Sequence, residues 1–508
     1  MNRENLSKHL LELLRRTSAY LPPDVEDVLK MAQKFEEKGS KADFALDMVM
    51  QNIGLAKKRS LPICQDTGTI TFYVKCPVGY NQIEFHKAAE EAVVTATKIG
   101  YLRQNAVDSL SGKNSGTNLG LGSPVFHIEQ WEKDQVDVRL VLKGGGCENM
   151  STQYKLPATF NGKLYGRDLE GVRACILDAV FQAQGKGCGP GFLGVCIGAD
   201  RASSYEWAKH QLLREVDDVN PVEELAQLEE RIMREANRLE IGPMGFGGKL
   251  TLGSCKIGFR HRLPASFFVS VAYMCWAFRR RGVILTADND VKEWLYQGAE
   301  EFEKEVEGPD TFVAPTKNVQ VLNAPFSEKA IRSLHVGDVV LINGTIFTGR
   351  DAVHKYLYDG GELDIIKGGM MYHCGPVMIK ENNEYKVMAA GPTTSIREEP
   401  YQGDVIKKFD LKAVIGKGGM GAKTLQACQD HGSVYLHAIG GAAQVYALTV
   451  KKVKSVHLEQ FGSPEAVWEL EVEGFPAVVT MDSHGESLHK EVQDASQLEL
   501  EKILQGAS

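Results

Sequence analysis

Between about residues 290 and 325 the chain turns acidic (Glu300, Glu301, Glu303, Glu305, Glu307) and then enters a Pro-containing extended run. This break matters because 508 residues are too many for one hydrophobic core. The texture differs on either side of it. Before it, helical spacing of Leu10, Leu13 and Leu14 gives way to a Gly-punctuated stretch over 60–200, with β-rich runs at Ile70 to Val74 and Val136 to Leu142. Residues 204–240 read as a charged, solvent-facing helix pair broken at Pro221, and Gly242 to Gly248 is too glycine-dense for a helix or strand interior. Beyond the break, short strands such as Val339 to Ile342 and Ala477 to Thr480 alternate with helical patterns. The expectation is a mixed α/β chain: a first domain over 1–300, a linker over 301–325, a smaller α/β domain over 326–490 and a terminal helix over 491–508.

Charge and hydropathy exclude two classes of partner. The net charge is −8 and the basic residues are scattered, so no basic stripe exists to meet phosphates, and no nucleic acid is expected. No run approaches the roughly 18 apolar residues of a membrane span, and the start carries no apolar secretory core. A cytoplasmic protein is expected.

The chemistry lies in cysteines. The ten are too dispersed for a disulfide scaffold, and no CxxC marks a zinc ribbon. Most read as buried small hydrophobes. Three sit in unusual company. Cys64 lies in Leu61-Pro62-Ile63-Cys64-Gln65-Asp66-Thr67-Gly68-Thr69, beside an amide and a carboxylate. Cys188 lies in Gly185-Lys186-Gly187-Cys188-Gly189-Pro190-Gly191, where four glycines leave room for a bulky group. Cys275 ends an apolar strand, and its following basic cluster, Arg279 to Arg281, reads as solvated. Three single thiols are one short of a fully ligated iron–sulfur cluster, so they fit a cluster with one open iron acting as a Lewis acid.

Taken in order, Cys-Gln-Asp-Thr-Gly-Thr, Lys143-Gly144-Gly145-Gly146-Cys147-Glu148-Asn149 and Gly-Cys-Gly-Pro resemble the class I fumarase and tartrate dehydratase family. Thr348-Gly349-Arg350-Asp351-Ala352-Val353-His354-Lys355, Gly391-Pro392-Thr393-Thr394 and Ile415-Gly416-Lys417-Gly418-Gly419 continue the likeness, over about 60–490. The resemblance implies an N-terminal iron–sulfur domain with a smaller, swivelling C-terminal α/β domain. It implies a [4Fe-4S] cluster on Cys64, Cys188 and Cys275, with Cys147 standing where the family usually has Ser. It implies that Gln65, Arg103, Gly146, Arg350, Arg397 and Lys417 bind a small dicarboxylate. Arg suits that task because its planar fork matches a carboxylate.

For acid–base work the resemblance points to Asp66 and Thr393, with His261 a third candidate although it stands fourteen residues before Cys275 instead of the family's usual twelve. Further departures are Ser395-Ile396 before Arg397, where many members have Ala-Gly, and Trp276 after the third cysteine. His354 and Lys355 follow Arg350 as helix neighbours and belong either behind the site or on a solvated face. Cys76, Cys175, Cys196, Cys255, Cys374 and Cys428 keep the reading of ordinary buried thiols. The implied activity is reversible hydration of fumarate to (S)-malate by an oxygen-sensitive homodimer, with tartrate or mesaconate as alternative substrates on the same scaffold. A cluster-bearing sensor without catalysis, or a zinc protein, would be the readings from other classes.

Overall fold

The computed structural model describes residues 3–298, 311–316 and 319–506. The acidic run that marks the break, and most of the expected linker, lie outside these residues. Val319–Asn323, within that expected linker, is a strand paired in parallel with 339–343.

Three sheets organise the chain. The first has five strands in the order Val291–Leu295, Arg279–Leu285, Val136–Lys143, Thr69–Pro77 and Val125–Trp131, and only the last pair is parallel. Helices Arg3–Ala19 and Gln82–Lys98 cover it, burying Leu6, Leu10, Leu13 and Leu14 against Phe85 and the strand residues Ile70, Phe72 and Val74. The helical spacing of those leucines is what makes one face apolar. The second sheet runs Thr152–Lys155, Phe268–Met274, Gly191–Gly198 and Leu252–Arg260. Its core is shared with helices Leu169–Ala183 and Glu223–Arg238.

The third sheet lies wholly in the second half. Strands Val339–Thr348, Met370–Tyr372, Ala413–Gly416 and Val434–His437 pair in parallel, and the long strand Val467–Met481 returns antiparallel to both the last and the first of them. Those pairings close a ring, which removes the open edges a flat sheet would leave.

Two expectations need correction. The charged pair over 204–240 is Arg201–Gln211 and Glu223–Arg238, but the second helix is amphipathic and buries Leu225, Leu228, Ile232 and Ala236. The basic cluster after Cys275 is not solvated: Arg279, Arg280 and Arg281 form a strand and are 2%, 0% and 1% exposed. Arg280 is tied to Asp24 and Arg281 to backbone carbonyls, so local composition had concealed partners distant in sequence.

The halves are bound together. The largest apolar core includes Cys64, Cys188, Trp276 and Met274 from the first half and Tyr372, Cys374, Ile439 and Tyr446 from the second. Helix Leu488–Gln505 returns to the second sheet's core through Leu500, Ile503 and Leu504, and Tyr165 donates to the Leu504 carbonyl at 2.9 Å. Among the described residues, no helix is long and apolar enough to cross a membrane.

Candidate active site

Cys64 sits in the turn leading into the first sheet, Cys188 just before the strand Gly191–Gly198, and Cys275 just after the strand Phe268–Met274. The latter two strands are neighbours in one sheet, which brings the second and third thiols together. Cys188 takes a left-handed backbone, φ 52°, at the end of a short 3-10 turn. Cys64 and Cys188 are buried and Cys275 partly exposed, and all ten cysteines are free thiols. A hydrogen bond with Cys147, then burial and the neighbouring Cys188 and Cys64, hold the Cys275 thiol well above its ordinary value, so the four sulfurs are neighbours. Cys147 lies against Cys275, as a small buried side chain at the start of helix Gly145–Met150.

Among the described residues, no group of three His, Cys, Asp or Glu side chains is placed to share one metal ion.

Cations from both halves enter the same space. Lys417 Nζ donates to Cys188 Sγ at 2.9 Å. Burial opposes its charge, but Cys188, Cys64 and Cys275 hold its pKa above the usual lysine value. A methyl group on Gly146 would stand 3.8 Å from that Nζ and 3.5 Å from Thr394 Oγ1, so the glycine leaves the ammonium accessible. Arg103 is 6% exposed, and donates through Nη1 to the Gly375 carbonyl at 2.7 Å and through Nη2 to Asn105 Oδ1 at 2.7 Å. Burial and then Arg350 lower its pKa, so the two guanidiniums are neighbours. Arg350 pairs with Glu465 at 3.3 Å and keeps a buried Nε without a hydrogen-bond partner. Cations gathered in one buried space are what a dianion would favour.

Asp66 is fixed on three sides. Its Oδ2 accepts from Gly145 N at 2.9 Å, and its Oδ1 accepts from Asn105 Nδ2 at 3.0 Å and Gly68 N at 3.1 Å. Burial would raise its pKa, but Arg103, the Asn105 amide, Arg279 and Lys417 hold it well below the usual carboxylate range. Gln65 Nε2 donates to the Pro392 carbonyl at 3.0 Å, which places the Gly391 to Thr394 loop over the Cys64 turn. Thr393 is held by its N–H and its hydroxyl to the His373 carbonyl, at 2.7 and 3.3 Å. Arg397 forms a two-pronged pair with Asp351 at 2.8 and 3.0 Å, and so lies beside Arg350 on the rim.

His261 does not join this group. It is exposed, on the loop after the strand Leu252–Arg260, because that strand carries it to the far end of the sheet from Cys188 and Cys275. Lys355 is on the solvated face, paired with Asp359, whereas His354 is fully buried behind Arg350.

Three residues near the site were not anticipated. Arg279 donates to the Asp66 carbonyl at 2.6 Å, with Nε and Nη1 buried and unpartnered. Its spacing of four from Cys275 was visible, but the neighbouring arginines masked it. Cys374 is a fully buried thiol, pushed up to about 12 by burial, that has Arg103, Arg350 and Cys64 as electrostatic neighbours. Its Cys374-Gly375-Pro376 repeats the Cys188-Gly189-Pro190 run, a signal that could have found it. Trp276 is buried and donates through Nε1 to the Gly440 carbonyl at 2.7 Å, joining the halves beside Cys188.

Comparison with known proteins gives a consistent result. Residues 7–284 match the family described as fumarate hydratase (Fumerase), and residues 290–492 match the one described as Fumarase C-terminus. The chain is 55% identical, over 99% of its length and 98% of the relative, to a Geobacillus stearothermophilus protein provisionally named a class I fumarate hydratase. It is 26% identical to the aerobic class I fumarate hydratase of Salmonella typhimurium, over 93% of this chain and 81% of that one. A third of the chain, 33%, is 32% identical to the L(+)-tartrate dehydratase subunit beta of Escherichia coli, over 86% of that subunit.

Proposed function

The chain belongs to the fumarate hydratase (Fumerase) family, with both halves on one polypeptide, and from that premise we propose that this hydro-lyase interconverts fumarate and (S)-malate using a [4Fe-4S] cluster. The observation that carries the reading is the meeting of Cys64, Cys188 and Cys275 with the buried cations Lys417, Arg103 and Arg350 in one space. Cys64, Cys188 and Cys275 would hold the cluster, and the buried, sulfur-facing donor set fits it. When bound, the cluster supplies a Lewis-acidic iron for a substrate hydroxyl and carboxylate.

The chain's own groups do the rest. Arg103 and Arg350 grip one carboxylate, while Lys417, Gln65 and the backbone at Gly146 serve the other end, with Arg397 closing the rim. Fixed charges in a buried site stabilise a dianion without reorganising at the moment of reaction. Asp66, kept ionised by its cationic neighbours, accepts a proton, and the Thr393 hydroxyl, held by the His373 carbonyl, is the second acid–base group. His261 has no role within its own chain's site in this reading.

In this reading the first half, to about residue 300, forms the cluster-binding domain, and the second, from the strand Val319–Asn323 onward, the substrate-binding one, followed by the helix Leu488–Gln505. The active form is a cytoplasmic homodimer, and air or peroxide inactivates it until iron and reductant are restored. Tartrate is the second substrate to consider, because the halves separately resemble two Methanocaldococcus jannaschii proteins provisionally named L(+)-tartrate dehydratase subunits alpha and beta, at 33% and 42% identity. An anaerobic ultraviolet assay of the reconstituted protein with fumarate, malate, tartrate and mesaconate decides between them. Turnover of tartrate alone would replace the fumarate reading.

A further inference from the structure

A buried polar chain lies behind the second-half residues of the site. His354 Nδ1 is 2.9 Å from the Arg350 carbonyl, and its Nε2 is 3.0 Å from the Gln402 side-chain amide. From the other side, His373 Nε2 is 2.8 Å from the same amide atom and its Nδ1 is 2.7 Å from Ser395 Oγ. Ser395 Oγ also accepts from the Tyr435 hydroxyl at 2.8 Å. All five side chains are fully buried.

The protons can be counted. Burial lowers the pKa of both imidazoles, so each is neutral and carries one N–H. A carbonyl only accepts, so the His354 proton must sit on Nδ1, toward Arg350. Its Nε2 is then a bare lone pair that needs a donor. With the Gln402 oxygen facing inward, two acceptors would meet at 3.0 Å, and the amide nitrogen on the other side would have no partner. The two ends of an amide have the same shape, and their surroundings decide which faces which.

We infer that Gln402 presents its Nε2 to both imidazoles, one N–H to each, and so acts as a positioning residue for Arg350 and Thr393. His373 then accepts at Nε2 and donates from Nδ1 to Ser395. What the two rings hold gives the link its purpose. His354 grips the carbonyl of Arg350, while the His373 carbonyl carries both the N–H and the hydroxyl of Thr393. Gln402, on helix Glu399–Phe409, therefore couples the carboxylate clamp to the acid–base hydroxyl from behind the site. The positioning role rests on the hydro-lyase reading above, whereas the amide orientation does not.

Two measurements test it. In 15N-histidine spectra of the full chain, His354 and His373 should both carry the proton on Nδ1. A proton on Nε2 of either ring overturns the orientation. Gln402→Glu keeps the shape but replaces a double donor with a group that only accepts when ionised. Its kcat for dicarboxylate hydration should fall about tenfold or more, with iron and sulfide content unchanged. Unchanged kcat and KM in that variant would remove the positioning role. A wild-type chain that turns over none of the tested dicarboxylates would remove the underlying reading instead, and the histidine spectra would still decide the amide.

Discussion

Lys417 donates to the Cys188 sulfur across 2.9 Å, and the two residues stand 229 positions apart in opposite halves of the chain. A buried ammonium on a buried sulfur stabilises the thiolate, and each partner lowers the other's desolvation cost. Lys417→Met should therefore lower the hydration rate by about a hundredfold or more, as loss of a fixed charge facing the reacting group does elsewhere. Steady-state rates of the anaerobically reconstituted variant check it; a rate within threefold of wild type, about 0.6 kcal/mol, would deny Lys417 that place.

The four converging cysteines are expected to differ in consequence. Cys64→Ser, Cys188→Ser and Cys275→Ser should each lose iron, sulfide and visible absorbance after anaerobic reconstitution, because a hydroxyl is a poor replacement for a thiolate ligand. Cys147→Ser should keep all three. Retention of a full cluster by the Cys188 variant would reassign the ligands toward Cys147.

Gly440 is where the halves leave no room. A methyl group there would collide with Cys188 Sγ and lie 2.8 Å from Lys417 Cδ. Gly440→Ala is expected to destabilise the fold by about 1–3 kcal/mol through overpacking. It should also reduce cluster occupancy, which a stability loss confined to a distant loop would not do. Thermal unfolding and iron content, measured together, read both effects.

Glu398 makes stability depend on pH. Burial pushes its carboxyl from an ordinary 4.5 up to about 8, Asp351 adding to the rise and Arg397 opposing it, and neither oxygen has a hydrogen-bond partner. The folded state thus binds this proton more tightly than the unfolded state. The contribution is whole below about 4.5 and is lost as pH climbs through about 8. Urea unfolding across that window should show Glu398→Gln gaining on wild type as pH rises. A constant difference between the two would mean that Glu398 titrates normally.

Motif spacing by itself singles out most of the candidate residues. Cys64, Cys188 and Cys275 stood out because thiols set among Gly, Pro, Gln and Asp are poor core residues. Lys417 and Arg350 stood out because glycines beside a cation bring its backbone near an anion. Arg279 and Cys374 did not, since their partners lie far away in sequence: Asp66 for the first, Arg103 and Arg350 for the second. His261 stands apart from that group within its own chain. The family resemblance offers it as a candidate, and a strand running away from Cys188 and Cys275 carries it to an exposed loop.

The amino-acid sequence by itself determined the residue types the chemistry needs, the periodicities of the helices and strands, and the family. Those are local properties, set by side-chain chemistry and by the 3.6- and 2-residue repeats of the backbone. Only the tertiary structure decided which charges share a buried space. The pairing of Gly191–Gly198 with Phe268–Met274 sets Cys188 beside Cys275, and the closed ring of the second half aims Lys417 at Cys188. Burial and charge proximity depend on where distant segments meet, and no local pattern encodes that.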